Sequence, residues 1–204
     1  VSESISLGLI ECGSLARGAK VCDAMLKTAR VRLLMAAAVS PGKLLVGVEG
    51  GVAEVEAAME RGLELCAERL QDALFLPQVH PEVAQVLREA RPSGGVDAMG
   101  VVETVTAAAA IRAADASMKA AKVRLLSLRL AAGIGGKAVY HLEGEIADVE
   151  AAVAAGEAAV GIAELLVESV VLARPHPDYA RYIDGGAGQA APSSQLAAPS
   201  EEEG

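Results

Sequence analysis

The same ordered set of motifs occurs twice along this chain. LGLIE at residues 7–11 returns as MGVVE at 99–103. VRLL at 31–34 returns as VRLL at 123–126, and EGGVAEVEAA at 49–58 returns as EGEIADVEAA at 143–152. Motifs repeated in fixed order over most of a chain mean two copies of one folding unit, which favours quasi-symmetric assemblies or paired sites. Each unit is about ninety residues long, enough for a small core of its own.

Within each copy the hydrophobic pattern alternates between strand and helix periods. In the first copy it predicts strands over 5–11, 31–39, 43–49 and 73–77, with helices over 17–29, 52–69 and 81–90. The second predicts strands over 99–103, 122–130, 137–143 and 165–173, with helices over 107–121, 146–160 and 177–183. The domains expected are 1–90 and 97–183. Between them lies a linker at 91–96 (RPSGGV), rich in turn formers. Residues 184–204 are rich in Gly, Ala, Pro, Ser and Gln, with three glutamates at 201–203, and are expected to be a disordered tail.

The copies part company at one place. Asp23 matches Asp115 at an offset of 92, whereas Lys43 matches Lys137 at an offset of 94. Two residues have therefore entered the hairpin, AAAVSPGK in the first copy and LRLAAGIGGK in the second. Divergence greatest in one loop of an otherwise kept repeat marks that loop as a place where the copies differ in function.

Composition removes several classes of function. Apolar residues make up 52% of the chain and mean hydropathy is +0.37, so broad faces are expected to be buried against partner subunits. No stretch of about eighteen residues lacks a charge, so no membrane-spanning helix is expected, and no N-terminal signal pattern is read. Net charge is −9 and aromatics are 2%. Nucleic-acid binding needs a basic footprint and commonly stacking platforms, and neither is present. Cys12, Cys22 and Cys66 are dispersed, all in the first copy, and read as reduced, ordinary small residues in a cytosol.

Catalytic and ligand motifs are weak. GIGGK lacks the first glycine, the hydroxyl residue and the following helix of a phosphate loop. His80, His141 and His176 have no metal-ligand spacing around them, and Ser14 has no readable triad. Glu11 and Glu103 recur at strand ends, as do Glu49 and Glu143, which suits holding a backbone or pairing at an interface. Lys27 and Lys119 recur at helix C-terminal ends, where a cation favours the dipole. No catalytic residue, metal or cofactor is expected, and the chain is not read as an enzyme.

These motifs together carry a resemblance. LGLIE, the GAKVCDAMLKTARVRLL segment, VEGGVAEVEAAME and their second-copy counterparts, ending in VLARPHP, are similar to the bacterial microcompartment shell domain, over residues 5–183. Two such domains resemble the tandem-domain trimeric shell proteins, of the single-layer, non-permuted kind found with propanediol-utilisation compartments. The resemblance implies an α/β (α+β) fold of two ferredoxin-like domains, mostly antiparallel sheets with helices packed on them. It implies a homotrimer that imitates a hexagon, tiles edge to edge with other shell hexamers and pentamers in the bacterial cytoplasm, and carries an axial pore for small metabolites. The pore loops fall on Ser40, Pro41 and Gly42, and on Gly133, Ile134, Gly135 and Gly136. The tile-edge lysine falls on Lys27 and Lys119, and the edge arginine on Arg174, with Gln78 in its place in the first copy. Some relatives carry a cysteine before the Pro-Gly pair and hold an iron–sulfur cluster on the axis. Ser40 stands there in this chain, and a hydroxyl is a poor iron ligand beside thiolate, so no cluster is expected. The alternatives are an electron-transfer shell protein carrying such a cluster, and a ligand-binding protein built from duplicated ferredoxin-like domains.

Overall fold

The structure, a computed structural model, describes residues 5–87, 97–176 and 179. The linker, the tail and nearly all of the helix expected over 177–183 lie outside the described residues. The first copy runs β1 (Ser6–Cys12), α1 (Leu15–Thr28), β2 (Arg32–Val39), β3 (Lys43–Gly50), α2 (Val52–Cys66), β4 (Leu70–Leu76) and α3 (Pro81–Val86). The second runs β5 (Ala98–Thr104), α4 (Ala107–Ala120), β6 (Arg124–Leu130), β7 (Ala138–Gly144), α5 (Ile146–Val160) and β8 (Leu166–Ala173). Each copy forms a four-stranded antiparallel sheet, in the order β2-β3-β1-β4 and β6-β7-β5-β8. This is the two-domain α/β architecture expected from the repeat.

Element ends moved for local reasons. Ser14 caps α1 by accepting the Arg17 amide at 3.3 Å, so the helix opens at Leu15 and not Arg17. α2 stops at Cys66 because Ala67 takes a φ of 46° and its amide turns back to the Leu63 carbonyl. A 3-10 turn at Ala67–Arg69 follows, and β4 begins three residues earlier than its apolar run suggests. An alanine gives no warning of such a stop. The second copy does, because Gly161 sits after α5 with a φ of 79°, as a helix-ending glycine should.

The period-2 alternation of β1 sorts its side chains between two layers. Ile10 and Cys12 face α1 and α2, in a core with Val21, Met25, Val46, Val55 and Met59. Leu7 and Leu9 face the other way, in a core with Leu45, Leu74 and the second copy's α4. The two copies therefore pack through the back of the first sheet. α4 reads AAAAIRAADASMKA and is covered by its own sheet on one side and by the first copy's sheet on the other. A helix that is apolar and small nearly all round fits that sandwich. α1, its counterpart, buries only Gly18, Val21 and Met25.

Candidate functional site: the paired hairpin loops and the contact between copies

The β2–β3 and β6–β7 hairpins, flagged by their divergence, meet in space. Ser40, Pro41 and Gly42 form a tight turn in which the Gly42 amide donates to the Val39 carbonyl at 2.9 Å, and the Ser40–Pro41 bond is cis. Gly42 has a φ of 97°, a region open to glycine and strained for other residues. The longer second loop closes through the Ala131 amide to the Lys137 carbonyl at 2.8 Å, with Gly133, Gly135 and Gly136 all at positive φ. Ile134 is half-buried, while Gly133 and Gly135 are exposed. Gly136 is pressed against the first loop: a Cβ built there would lie 2.8 Å from the Ser40 carbonyl oxygen and 3.2 Å from Pro41 Cδ. Glycine is required at that position by both its dihedral and its neighbour.

A buried ionic cluster holds this junction. Lys43, the first residue of β3, ion-pairs with Glu11 near the end of β1 and donates to the Gly136 carbonyl at 3.1 Å. The other oxygen of Glu11 accepts the Ala108 amide at 2.8 Å, in the first turn of α4. The side chains are 4% and 0% exposed. Burying a charge pair is tolerable when the remaining polar valences are also met, and here a carbonyl and a helix N-terminus meet them. Next to it the Thr106 hydroxyl, which caps α4, donates to Asp72 at 2.5 Å. One strand-end glutamate thus fastens the second copy's helix to the first copy's sheet. The repetition of Glu11 and Glu103 was the legible signal; the helix amide that meets Glu11 was not.

The opposite end of α4 is also tied to the first copy. Asp115 accepts the His80 amide at 2.7 Å, and Lys119 pairs with Asp115 and donates to the Gln78 carbonyl, both at 2.6 Å. Two residues assigned to tile edges, Lys119 and Gln78, are therefore neighbours within one chain. Lys27 pairs with Asp23 at 2.7 Å and stands well exposed. Arg174 is exposed, with a φ of 47°, and its amide donates to the Asp97 carbonyl at 2.7 Å.

The loops offer a poor site for an iron–sulfur cluster. Ser40 supplies a hydroxyl, and the chain's thiols lie elsewhere: Cys12 and Cys66 are buried in the core under α1 and α2. Burial, then the adjacent Cys12, pushes the Cys66 thiol up to about 12, and burial raises that of Cys22, the opposite of what a metal-binding thiolate needs. Among the described residues, no group of three or more His, Cys, Asp or Glu is placed to hold a metal ion. His141 is buried against Ser127 at 2.9 Å, and burial holds its imidazole down at about 4. Among the described residues, no helix is long and apolar enough to cross a membrane.

Two antiparallel α/β units, joined through a sheet back and a shared pair of hairpin loops, define a duplicated ferredoxin-like protein. The BMC domain, that of bacterial microcompartment proteins, matches residues 6–79 and 98–175, so the chain belongs to that family and carries its domain in tandem. It is 37% identical to the bacterial microcompartment shell protein PduT of Citrobacter freundii, over 90% of this chain and 100% of that one. It is 38% identical to the major carboxysome shell protein CsoS1A of Halothiobacillus neapolitanus, over 42% of this chain and 91% of that protein. A crystal structure of a microcompartments protein from Desulfitobacterium hafniense superposes with a TM-score of 0.80 at 40% identity, covering 87% of this chain and 99% of the other.

Proposed function

We propose that this microcompartment shell protein works as a homotrimeric tile with a pore on its threefold axis, set in a shell in the bacterial cytoplasm. Six domains then make one near-hexagonal plate that joins other shell hexamers and pentamers along its edges.

One observation carries the trimer. The chain contains one finished contact between copies and the two open halves of another. The finished contact buries Leu7, Leu9, Leu45 and Leu74 under α4. The matching face of the second sheet leaves Val101 and Val139 half-buried and Val170 40% exposed. The helix that would match α4 is α1, whose Leu15 and Leu26 are exposed where Ala107 and Met118 are buried. An interface between unlike faces repeats from chain to chain and closes a ring where its rotation allows, and three two-domain chains complete a six-domain plate.

The loop geometry supports the pore. In a ring built on that contact, Ser40, Pro41 and Gly42 of each chain lie beside the glycine loop Gly133, Ile134, Gly135 and Gly136, and hydroxyls and backbone groups line a small polar opening. Such an opening suits small polar metabolites, and the loop residues do not suit a cluster. A structural and permeability role without catalysis agrees with a family whose named members here are shell proteins.

Light scattering on the purified chain is expected to give three times the monomer mass, and negative-stain microscopy to show flat sheets or tubes. A monomer at all concentrations, with neither sheets nor tubes, would overturn this reading.

A further inference from the structure

Ninety-two and ninety-four residues after Glu11 and Lys43 stand Glu103 and Lys137, at the same register positions. Glu11 lies opposite Leu45 on β3, and Glu103 lies opposite Val139 on β7. Glu103 and Lys137 form the same ion pair, at 2.9 Å. Their surroundings differ. The first pair is covered by α4 and by the Gly136 loop, whereas the second is 36% and 47% exposed. It has the strands and the charges of the buried cluster but lacks the helix.

The counterparts of the missing parts stand uncovered in the first copy. Ser14 and Ala16 are the first-copy equivalents of Thr106 and Ala108. Ser14 caps the Arg17 amide, the first turn of α1 contains no acid, and Ala16 is exposed where Ala108 is buried. Among the described residues, no carboxylate accepts from the Ala16 amide, one of the orphan donors every helix start leaves. Gly42, the equivalent of Gly136, is likewise exposed.

We propose that Glu103 and Lys137 are one half of an intersubunit lock, completed by the α1 N-terminus and the Ser40–Gly42 turn of the neighbouring copy. This rests on the trimeric reading above. Glu103 accepts the amide of Ala16 of the partner subunit, and Lys137 donates to the carbonyl of Gly42 of the partner subunit. The hydroxyl of Ser14 of the partner subunit reaches Glu168, which pairs with Glu103 across the sheet as Asp72 pairs with Glu11. The lock repeats in trans the contacts that Glu11, Lys43 and Asp72 make in cis. It also fixes the register of the ring: a displaced neighbour would bury a charge pair with its remaining valences unmet, which is costly. Because Lys43 grips the second-copy loop and Lys137 the first-copy loop of the next chain, the two bonds alternate around the axis as a belt behind the pore loops.

The test compares wild type with Glu103→Ala and Lys137→Met, using light scattering across a dilution series and hydrogen exchange read by mass spectrometry. The trimer dissociation constant is expected to rise on the order of a hundredfold in each variant. Exchange at residues 14–18 is expected to speed up in Glu103→Ala while residues 106–110 stay protected and the helical circular dichroism is unchanged. Glu11→Ala should behave differently, destabilising the chain itself. If Glu103→Ala loses helical signal, Glu103→Gln, which keeps the shape and drops the charge, provides the comparison and should weaken the trimer to a smaller degree. A trimer of wild-type strength in the Glu103 and Lys137 variants, with unchanged exchange at 14–18, overturns the lock and leaves the trimer standing. A wild-type chain that is monomeric throughout overturns both.

Discussion

A buried imidazole, His141, stands in the second sheet where the first has Gly47. His141 is only 8% exposed, and its ring meets Ser127. Burial lowers its pKa from 6.5 to about 4, so the unfolded chain binds a proton that the folded chain refuses between those values. Stability from this residue is complete above pH 6.5 and is lost progressively as pH falls toward 4. The shift corresponds to something on the order of 3 kcal/mol. Chemical denaturation at pH 7 and pH 4.5 should show that loss, and a His141→Gln variant should show a shallower slope; equal slopes in the two proteins would remove His141 as the cause. The repeated glutamates teach a related lesson. Their recurrence suits holding a backbone or pairing at an interface; Glu11 does hold a backbone amide, but only the fold brings Ala108 to it across 97 positions.

At the level of elements, two glycines allow each helix pair to close on its sheet. A Cβ at Gly62 in α2 would lie 2.6 Å from Ile10 Cδ1 and 2.8 Å from Met25 Sδ. At Gly156 in α5 it would lie 2.2 Å from the Tyr140 hydroxyl and 2.6 Å from Ser117 Oγ. Those two hydroxyls bond each other at 2.9 Å, and Ser117 also donates to the Ala152 carbonyl at 2.7 Å, so a methyl group there disturbs a satisfied buried network as well as the packing. Gly156→Ala is expected to cost about 2–4 kcal/mol, combining overpacking with a displaced hydrogen bond. Gly62→Ala, which meets flexible side-chain ends, is expected to cost less. Thermal denaturation of both variants checks the order, and an equal or reversed ranking would contradict the account. The contrast between α1 and α4 was legible as composition: one helix is small and apolar nearly all round, the other on a single stripe. What covers α4 was not, because periodicity shows that a face is buried without showing by what.

For the molecule as a whole, lateral assembly and ring closure should be separable. Lys27 and Lys119 end equivalent helices, yet Lys119 already donates a hydrogen bond to the Gln78 carbonyl of its own chain, while Lys27 pairs with Asp23 alone among the described residues. Lys27→Ala is therefore expected to leave the trimer intact and reduce sheet formation strongly, and Lys119→Ala to reduce it less and lower chain stability slightly. Microscopy scored against light scattering on the same samples checks this. Loss of the trimer in Lys27→Ala would place that lysine inside the ring and not at its rim.

The amino-acid sequence by itself determined the duplication, the order of strands and helices in each copy, and the hairpin in which the copies differ, because all three are written in local periodicity and in direct repetition. Through resemblance to a family it also nominated Lys27 and Lys119 as candidates for a tile edge, and Ser40, Pro41, Gly42 and the glycine loop as candidates for a pore. The tertiary structure alone decided which faces meet: that α4 covers the first sheet, that Glu11 and Lys43 are sealed beneath it, and that Glu103 and Lys137 are left open. The reason is physical. Burial, ion pairing and helix capping between residues about a hundred positions apart depend on the path of the chain through space, and identical motifs acquire different surroundings when only one of them finds its partner within the same chain.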